Sequence, residues 1–127
     1  MYKRQGFTLN VVKESLRLYP PVWALPRQSI EADELGGYRV PRRTMVTMSP
    51  WILHRHPEFW EAPERFDPDR FLPERSADRP RHAYFPFGAG GRSCVGEDFA
   101  LLEATLVLAM TLRRFCLLYT SPSPRDA

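Results

Sequence analysis

The chain has 127 residues, 43% hydrophobic and 26% charged, with 18 Lys and Arg against 15 Asp and Glu for a formal net charge of +3. That is the size and balance of one globular domain, too apolar for a disordered chain and too weakly basic for a nucleic-acid binder. Eleven of its 13 prolines fall between Pro20 and Pro86, which confines long helices to the two ends and leaves loops, turns and short edge strands between them.

In chain order, Leu9, Val12 and Leu16 keep helical spacing until Pro20-Pro21 stops the pattern, so a short amphipathic helix is expected over Leu9 to Leu18. It carries Glu14 and Arg17, three apart and on one face, a pair that in isolation reads as an exposed intrahelical ion pair. Residues 22–50 read as short strands, with Gly36-Gly37 offering a hairpin turn and Met45, Thr47 and Ser49 alternating with Val46 and Met48. A short helix is expected near Pro57 to Trp60, with proline in its first turn. Residues 63–84, dense in Pro, Arg and Asp, read as a meandering loop anchored by Phe66 and Phe71. From Glu97 or Asp98 onward, Phe99, Leu102, Leu106, Ala109 and Arg113 trace a long helix, acidic at its start and basic at its end as the macrodipole prefers. Its other faces are also largely apolar, so burial on most sides is expected.

The apolar run near residues 99–112 is interrupted by Glu103 and two threonines and is too short and polar to span a membrane. Two cysteines, Cys94 and Cys116, with no signal-peptide pattern ahead of them, point to a reduced intracellular setting. The ends "MYKRQ" (1–5) and "CLLYTSPSPRDA" (116–127) resemble translated adapter sequence, so they are read as a non-native leader and a non-native or disordered tail around a domain over 6–115.

The chemistry concentrates in "FPFGAGGRSCVGEDFA", residues 85–100. A helix N terminus favours negative charge, which suits Cys94 as a metal ligand or a nucleophile. Three readings follow. A nucleophile needs a base, and spacing does not place His54, His56 or His82 beside it. A zinc site needs about four ligands, and two cysteines with "HRH" give no recognised spacing. A porphyrin iron needs one axial thiolate, because the macrocycle fills the equatorial positions. Glycines at 88, 90, 91 and 96 let the backbone press against a flat ring, and Arg92 can reach a carboxylate on its edge.

"FPFGAGGRSCVG" resembles the haem-binding signature of the cytochrome P-450 family, F-x-x-G-x-R-x-C-x-G, with Phe87, Gly90, Arg92, Cys94 and Gly96 in register. The family's upstream E-x-x-R is matched by Glu14 and Arg17, and its P-E-R-F segment by Pro63, Glu64, Arg65 and Phe66. The resemblance runs from about Leu9 to Phe115 and implies the C-terminal haem-ligand part of that fold. This is an α+β arrangement, mainly α with a small β-sheet: a short E-x-x-R helix, a small mixed sheet, a meander loop, the cysteine loop and a long buried helix.

It implies a haem-thiolate monooxygenase that inserts one atom of O2 into an organic, lipophilic substrate, with haem b (iron protoporphyrin IX) as cofactor. Cys94 is then the catalytic axial ligand of the iron, Phe87 covers the face near the sulfur, and Gly88, Gly90 and Gly96 keep the approach open. Arg92 pairs with a propionate, as does Arg27, while Glu14, Arg17 and Arg65 form a buried structural network. Val22, Trp23, Ala24 and Leu25 line the substrate side. The implied partners are an electron-donor protein of ferredoxin or flavin reductase type, the substrate and O2, with no nucleic acid. The setting implied is intracellular, cytoplasmic if bacterial, with a membrane anchor in a preceding segment left open.

The family's long central helix and its distal roof are not in this sequence, so the chain alone is expected to be inactive. Two competitors stand beside this reading: a basic, proline-rich interaction module presenting "RPRH" (79–82), and a thiol-dependent hydrolase built on Cys94 and a histidine.

Overall fold

The computed structural model describes residues 2–115. Helix α1 runs Tyr2–Leu18, beginning earlier than the apolar spacing indicates. Strands β1 (Leu25–Gln28), β2 (Asp33–Leu35), β3 (Tyr38–Val40) and β4 (Met45–Met48) follow, then the single turn of helix α2 (Pro50–Leu53). The meander comes next, with a 3-10 turn over Pro68–Phe71, the short helix α3 (Pro73–Ser76) and a second 3-10 turn over Arg81–Ala83. The cysteine loop then leads into α4 (Glu97–Arg114). The tail expected from 116 onward, with Cys116, lies outside the described residues.

The strands form two separate antiparallel ladders, β1 with β4 and β2 with β3, rather than one mixed sheet. Gly36 and Gly37, with φ of 58° and 84°, close the β2–β3 hairpin between Leu35 and its register partner Tyr38. Two consecutive residues at positive φ are what a two-residue hairpin turn of this hand requires. The helix expected near Pro57 to Trp60 instead stands at Pro50–Leu53, because Ser49 Oγ accepts the Ile52 N–H at 3.3 Å and Pro50 takes the first helical position. Residues 57–60 form turns hung from the His56 carbonyl, which accepts the N–H groups of both Phe59 and Trp60 at 3.1 Å.

The core is unusual in its polarity. Among the described residues Val12, Leu18, Val40, Pro50, Trp60 and Ala83 are buried apolar side chains, and Asn10, Glu14, Arg17, His54 and Arg70 are buried with them. Trp60 is the largest and lies at the centre of the meander, edge-on to Tyr84 at 6.2 Å and tilted on Phe71 at 6.1 Å. The guanidinium groups of Arg17 and Arg79 also stand over its ring, at 5.0 and 4.1 Å. Phe71 therefore anchors the meander as expected. Phe66, 47% exposed, does not; Trp60 and Arg70 take that role.

Helix α4 corrects the expectation of a long buried helix, since none of its residues is buried. It packs against α1, and Ala100, Leu101, Ala104, Thr105, Leu108, Ala109 and Thr111 are half-buried. The stripe through Phe99, Leu102 and Leu106 lies on the other side, 53–70% exposed. A helix apolar on several faces does not announce which face its one neighbour covers.

Candidate functional site

Two assemblies, joined by His54, make up the site. The first is the charged cluster. Glu14 and Arg17, one helical turn apart on α1, form a fork-to-fork pair: Arg17 Nε donates to Glu14 Oε2 at 2.7 Å and Nη2 to Oε1 at 2.9 Å, and neither side chain is exposed. Nearly every polar atom of the pair is used, which offsets the cost of burying it. Arg17 also donates to the carbonyls of His54 at 2.7 Å and Arg65 at 3.2 Å, and Glu14 Oε1 accepts the Asp67 N–H at 2.9 Å. One i, i+3 pair thus ties α1 to α2 and to the meander.

The third charge corrects the expected network. Arg65 enters through its carbonyl and its side chain is exposed. The second guanidinium facing the carboxylate belongs to Arg70, whose Nε lies 3.4 Å from Glu14 Oε1 and whose residue is 4% exposed. Arg70 also donates to the carbonyls of Glu61, Ala62 and Arg65. Ala62 takes an uncommon φ of 42° while its carbonyl accepts from Arg70 at 2.8 Å. The P-x-R-F spacing occurs twice, at Pro63–Phe66 and again at Pro68–Phe71. The second copy lies in a 3-10 turn capped by Asp67, which carries Arg70 and Phe71 inward. That repetition was the available signal.

The second assembly is the cysteine loop. Phe85 accepts the Gly88 N–H at 3.0 Å, Gly90 accepts that of Ser93 at 3.1 Å, and Phe87 accepts that of Cys94 at 2.8 Å. The last bond closes the loop and sets Cys94 directly across from Phe87. Gly88 and Gly90 have φ of 80° and 72°, conformations that only glycine adopts without strain. Gly96 is the N-cap of α4, so Cys94 lies two residues before the cap rather than opening the helix. A Cβ on Gly96 would stand 3.9 Å from the Cys94 sulfur. Cys94 is a free, exposed thiol, Phe87 is half-buried and Arg92 is exposed.

Around the loop, Leu25 of β1 reaches to within 3.8 Å of where a Cβ on Gly88 would lie, bringing one expected substrate-side residue to the glycines. Ala24 is half-buried, and Val22 and Trp23 are 48% and 67% exposed. Arg27 projects from β1 with Nη1 donating to the Pro26 carbonyl at 2.9 Å. Among the described residues neither Arg27 nor Arg92 makes an ion pair, so both remain available to an anionic ligand group. An open, mainly apolar cleft of about 710 Å3 runs between β4 with α2 and the loop, lined among others by Met48, Ile52, His82, Phe85, Ala89 and Gly90.

His54 was one of three undifferentiated histidines in the sequence, and its role carried no sequence signal. It is fully buried, its carbonyl accepts from Arg17, and its Nε2 accepts the Phe85 N–H at 2.9 Å. Burial, opposed by the Arg17 backbone beside the ring and reinforced by the nearby charges of Arg17 and Arg55, lowers its pKa from 6.5 to about 4. Burial likewise raises the pKa of Tyr84, stacked on His54 at 5.1 Å, so its phenol stays a neutral donor to the Lys13 carbonyl at 3.0 Å. Unfolded His54 binds a proton below pH 6.5 while the folded ring resists it until about pH 4. Stability is therefore complete above that window and falls as pH drops through it, by about 3 kcal/mol from this group. Urea midpoints of the full-length protein across that range should show the fall, and His54→Gln should flatten it; an equal slope in the variant contradicts the assignment.

The histidine arrangement bears on the competing chemistries. His54 Nε2 is already engaged by a backbone amide, and among the described residues no imidazole hydrogen-bonds to Cys94. Among the described residues no group of three or more His, Cys, Asp or Glu can hold a metal ion. A porphyrin iron would ask these residues for one axial thiolate only. An exposed lone thiol on a glycine loop with open space beyond Gly90 and Gly91 fits a flat macrocycle.

The architecture is thus an α+β arrangement built around a buried E-x-x-R pair and a glycine-bounded cysteine loop. The family model described as cytochrome P-450 matches residues 4–126, and the chain belongs to that family, whose cofactor is haem. It is 46% identical over 112 residues to Cyclooctatin synthase of Streptomyces melanosporofaciens, covering 88% of this chain and 24% of that protein. It is 45% identical over 109 residues to Cyclooctat-9-en-7-ol 5-monooxygenase of the same organism, covering 86% and 24%. A solved structure, retinoic acid bound cyanobacterial CYP120A1, superposes with a TM-score of 0.82 at 34% identity, over 87% of this chain and 26% of that one. The chain therefore spans about a quarter of the length of the relatives it matches. Among the described residues no helix is long and apolar enough to cross a membrane.

Proposed function

We propose that this chain is the haem-ligand portion of a haem-thiolate monooxygenase, with Cys94 as the axial ligand of haem b. The observation that carries the reading is a free, exposed Cys94 held across from Phe87 by the 2.8 Å bond that closes a loop of positive-φ glycines. When bound, a thiolate-ligated iron porphyrin supplies O2 activation and the transfer of one oxygen atom. The chain's own residues bind and orient. Phe87 would cover the ring's face near the sulfur, Gly88, Gly90 and Gly96 would keep side chains from the ring's approach, and Arg92 and Arg27 would hold its carboxylates. The Glu14, Arg17 and Arg70 cluster, through the carbonyls of His54 and Arg65, fixes the frame in which the loop sits.

The substrate is a small lipophilic molecule that meets Val22, Trp23, Ala24 and Leu25. Support comes from two relatives, one whose name states monooxygenation of cyclooctat-9-en-7-ol and one solved with retinoic acid. Electrons come from a donor protein of ferredoxin or flavin reductase type, in an intracellular setting. We place the working portion at 6–115. By itself it supplies one side of the haem and turns nothing over. The test is turnover by the full-length protein of a lipophilic substrate under isotopically labelled O2. One labelled oxygen atom per product is expected; product whose new oxygen comes from water overturns the reading.

A further inference from the structure

We propose that His54, as the neutral ring protonated on Nδ1, is a positioning residue that grips the Phe85 amide and so sets the start of the loop that presents Cys94; this rests on the haem-ligand reading above. A backbone N–H can only donate, so the 2.9 Å contact from Phe85 N requires an unprotonated Nε2. The ring's single proton is then on Nδ1, which is buried and has no partner among the described residues. The other tautomer, or the cation, would set an N–H against an N–H at Phe85.

The ring cannot drift to relieve such a clash. It is stacked on Tyr84, edge-on to Phe85 at 5.5 Å and to Trp60 at 6.4 Å, with no exposure to solvent. Its backbone is equally fixed by the Arg17 bond to its carbonyl. Downstream, the Phe85 carbonyl begins the turn at Gly88, and two residues on the Phe87 carbonyl takes the Cys94 N–H. His54 is thus one residue from the Glu14–Arg17 pair on its backbone side and one from the cysteine loop on its ring side. The charged network reaches the thiol through this imidazole.

The experiment uses the full-length protein. His54→Phe keeps a ring of similar size against Tyr84 and removes the acceptor, whereas His54→Gln places an amide oxygen near the position of Nε2. For His54→Phe, hydrogen exchange at the Phe85 and Cys94 amides should quicken about tenfold, the loss of one buried hydrogen bond. The reduced carbonyl spectrum should show a diminished thiolate-ligated fraction, and His54→Gln should restore both readouts. Wild-type exchange and thiolate fraction in His54→Phe would overturn the proposal, as would failure of His54→Gln to restore them. Should His54→Phe not fold, the nitrogen chemical shifts of the wild-type ring decide: a protonated Nε2 overturns the proposal. A wild-type protein that lacks the thiolate signature overturns the haem reading instead, while the exchange and tautomer results still report on the His54 grip.

Discussion

Replacing Glu14 with alanine in the full-length protein is expected to lower its stability by about 3–5 kcal/mol, because removing one partner leaves buried charge uncompensated. The geometry makes Glu14 the most sensitive member of its cluster. One carboxylate faces two guanidinium groups, those of Arg17 and Arg70, all three side chains 4% exposed or less. Its loss leaves two buried cations close together and also orphans the Asp67 amide, which donates to Oε1. Arg17→Ala is expected to cost less, since Arg70 still faces the carboxylate, and Arg70→Ala less again, since the fork-to-fork pair survives. Denaturant midpoints at constant m-value measure all three. A cost below about 1 kcal/mol for Glu14→Ala, the range of exposed ion pairs, would contradict the account.

That ordering was only half legible in the sequence. The i, i+3 spacing of Glu14 and Arg17 survives translation into structure because helix geometry alone puts them together. Identifying the third charge required knowing which of two P-x-R-F copies turns inward, and that depends on the 3-10 turn nucleated by Asp67 and Pro68. The Gly36-Gly37 hairpin and the cysteine loop were readable for the same local reason: their backbone conformations are specified by the glycines themselves.

What was not readable is whatever a distant neighbour decides. The exposed stripe of α4 follows from α1 covering the opposite side. Phe66 and Phe71 are alike in sequence, and only the position of Trp60 separates the anchor from the exposed ring. His54 sits beside His56 in "HRH", yet one is fully buried and the other exposed, because Ser49 and Pro50 start α2 where they do. A bond from Phe85, 31 residues along the chain, leaves no local trace.

The second large effect concerns Cys94. In the proposed reading every other group at the loop would shape an approach or hold an edge, whereas the Cys94 sulfur would bind the iron. Its exposure and its unpaired state among the described residues leave it free to do so. Its substitution should abolish ligation while leaving the Glu14–Arg17–Arg70 cluster, and hence the fold, in place; unchanged circular dichroism would verify the latter. The direct measurement is the reduced carbon monoxide spectrum of the full-length protein with Cys94 intact and as Cys94→Ala. The account predicts the red-shifted Soret band of a thiolate-ligated carbonyl complex in the first and its loss in the second; a red-shifted band that persists in Cys94→Ala would contradict it.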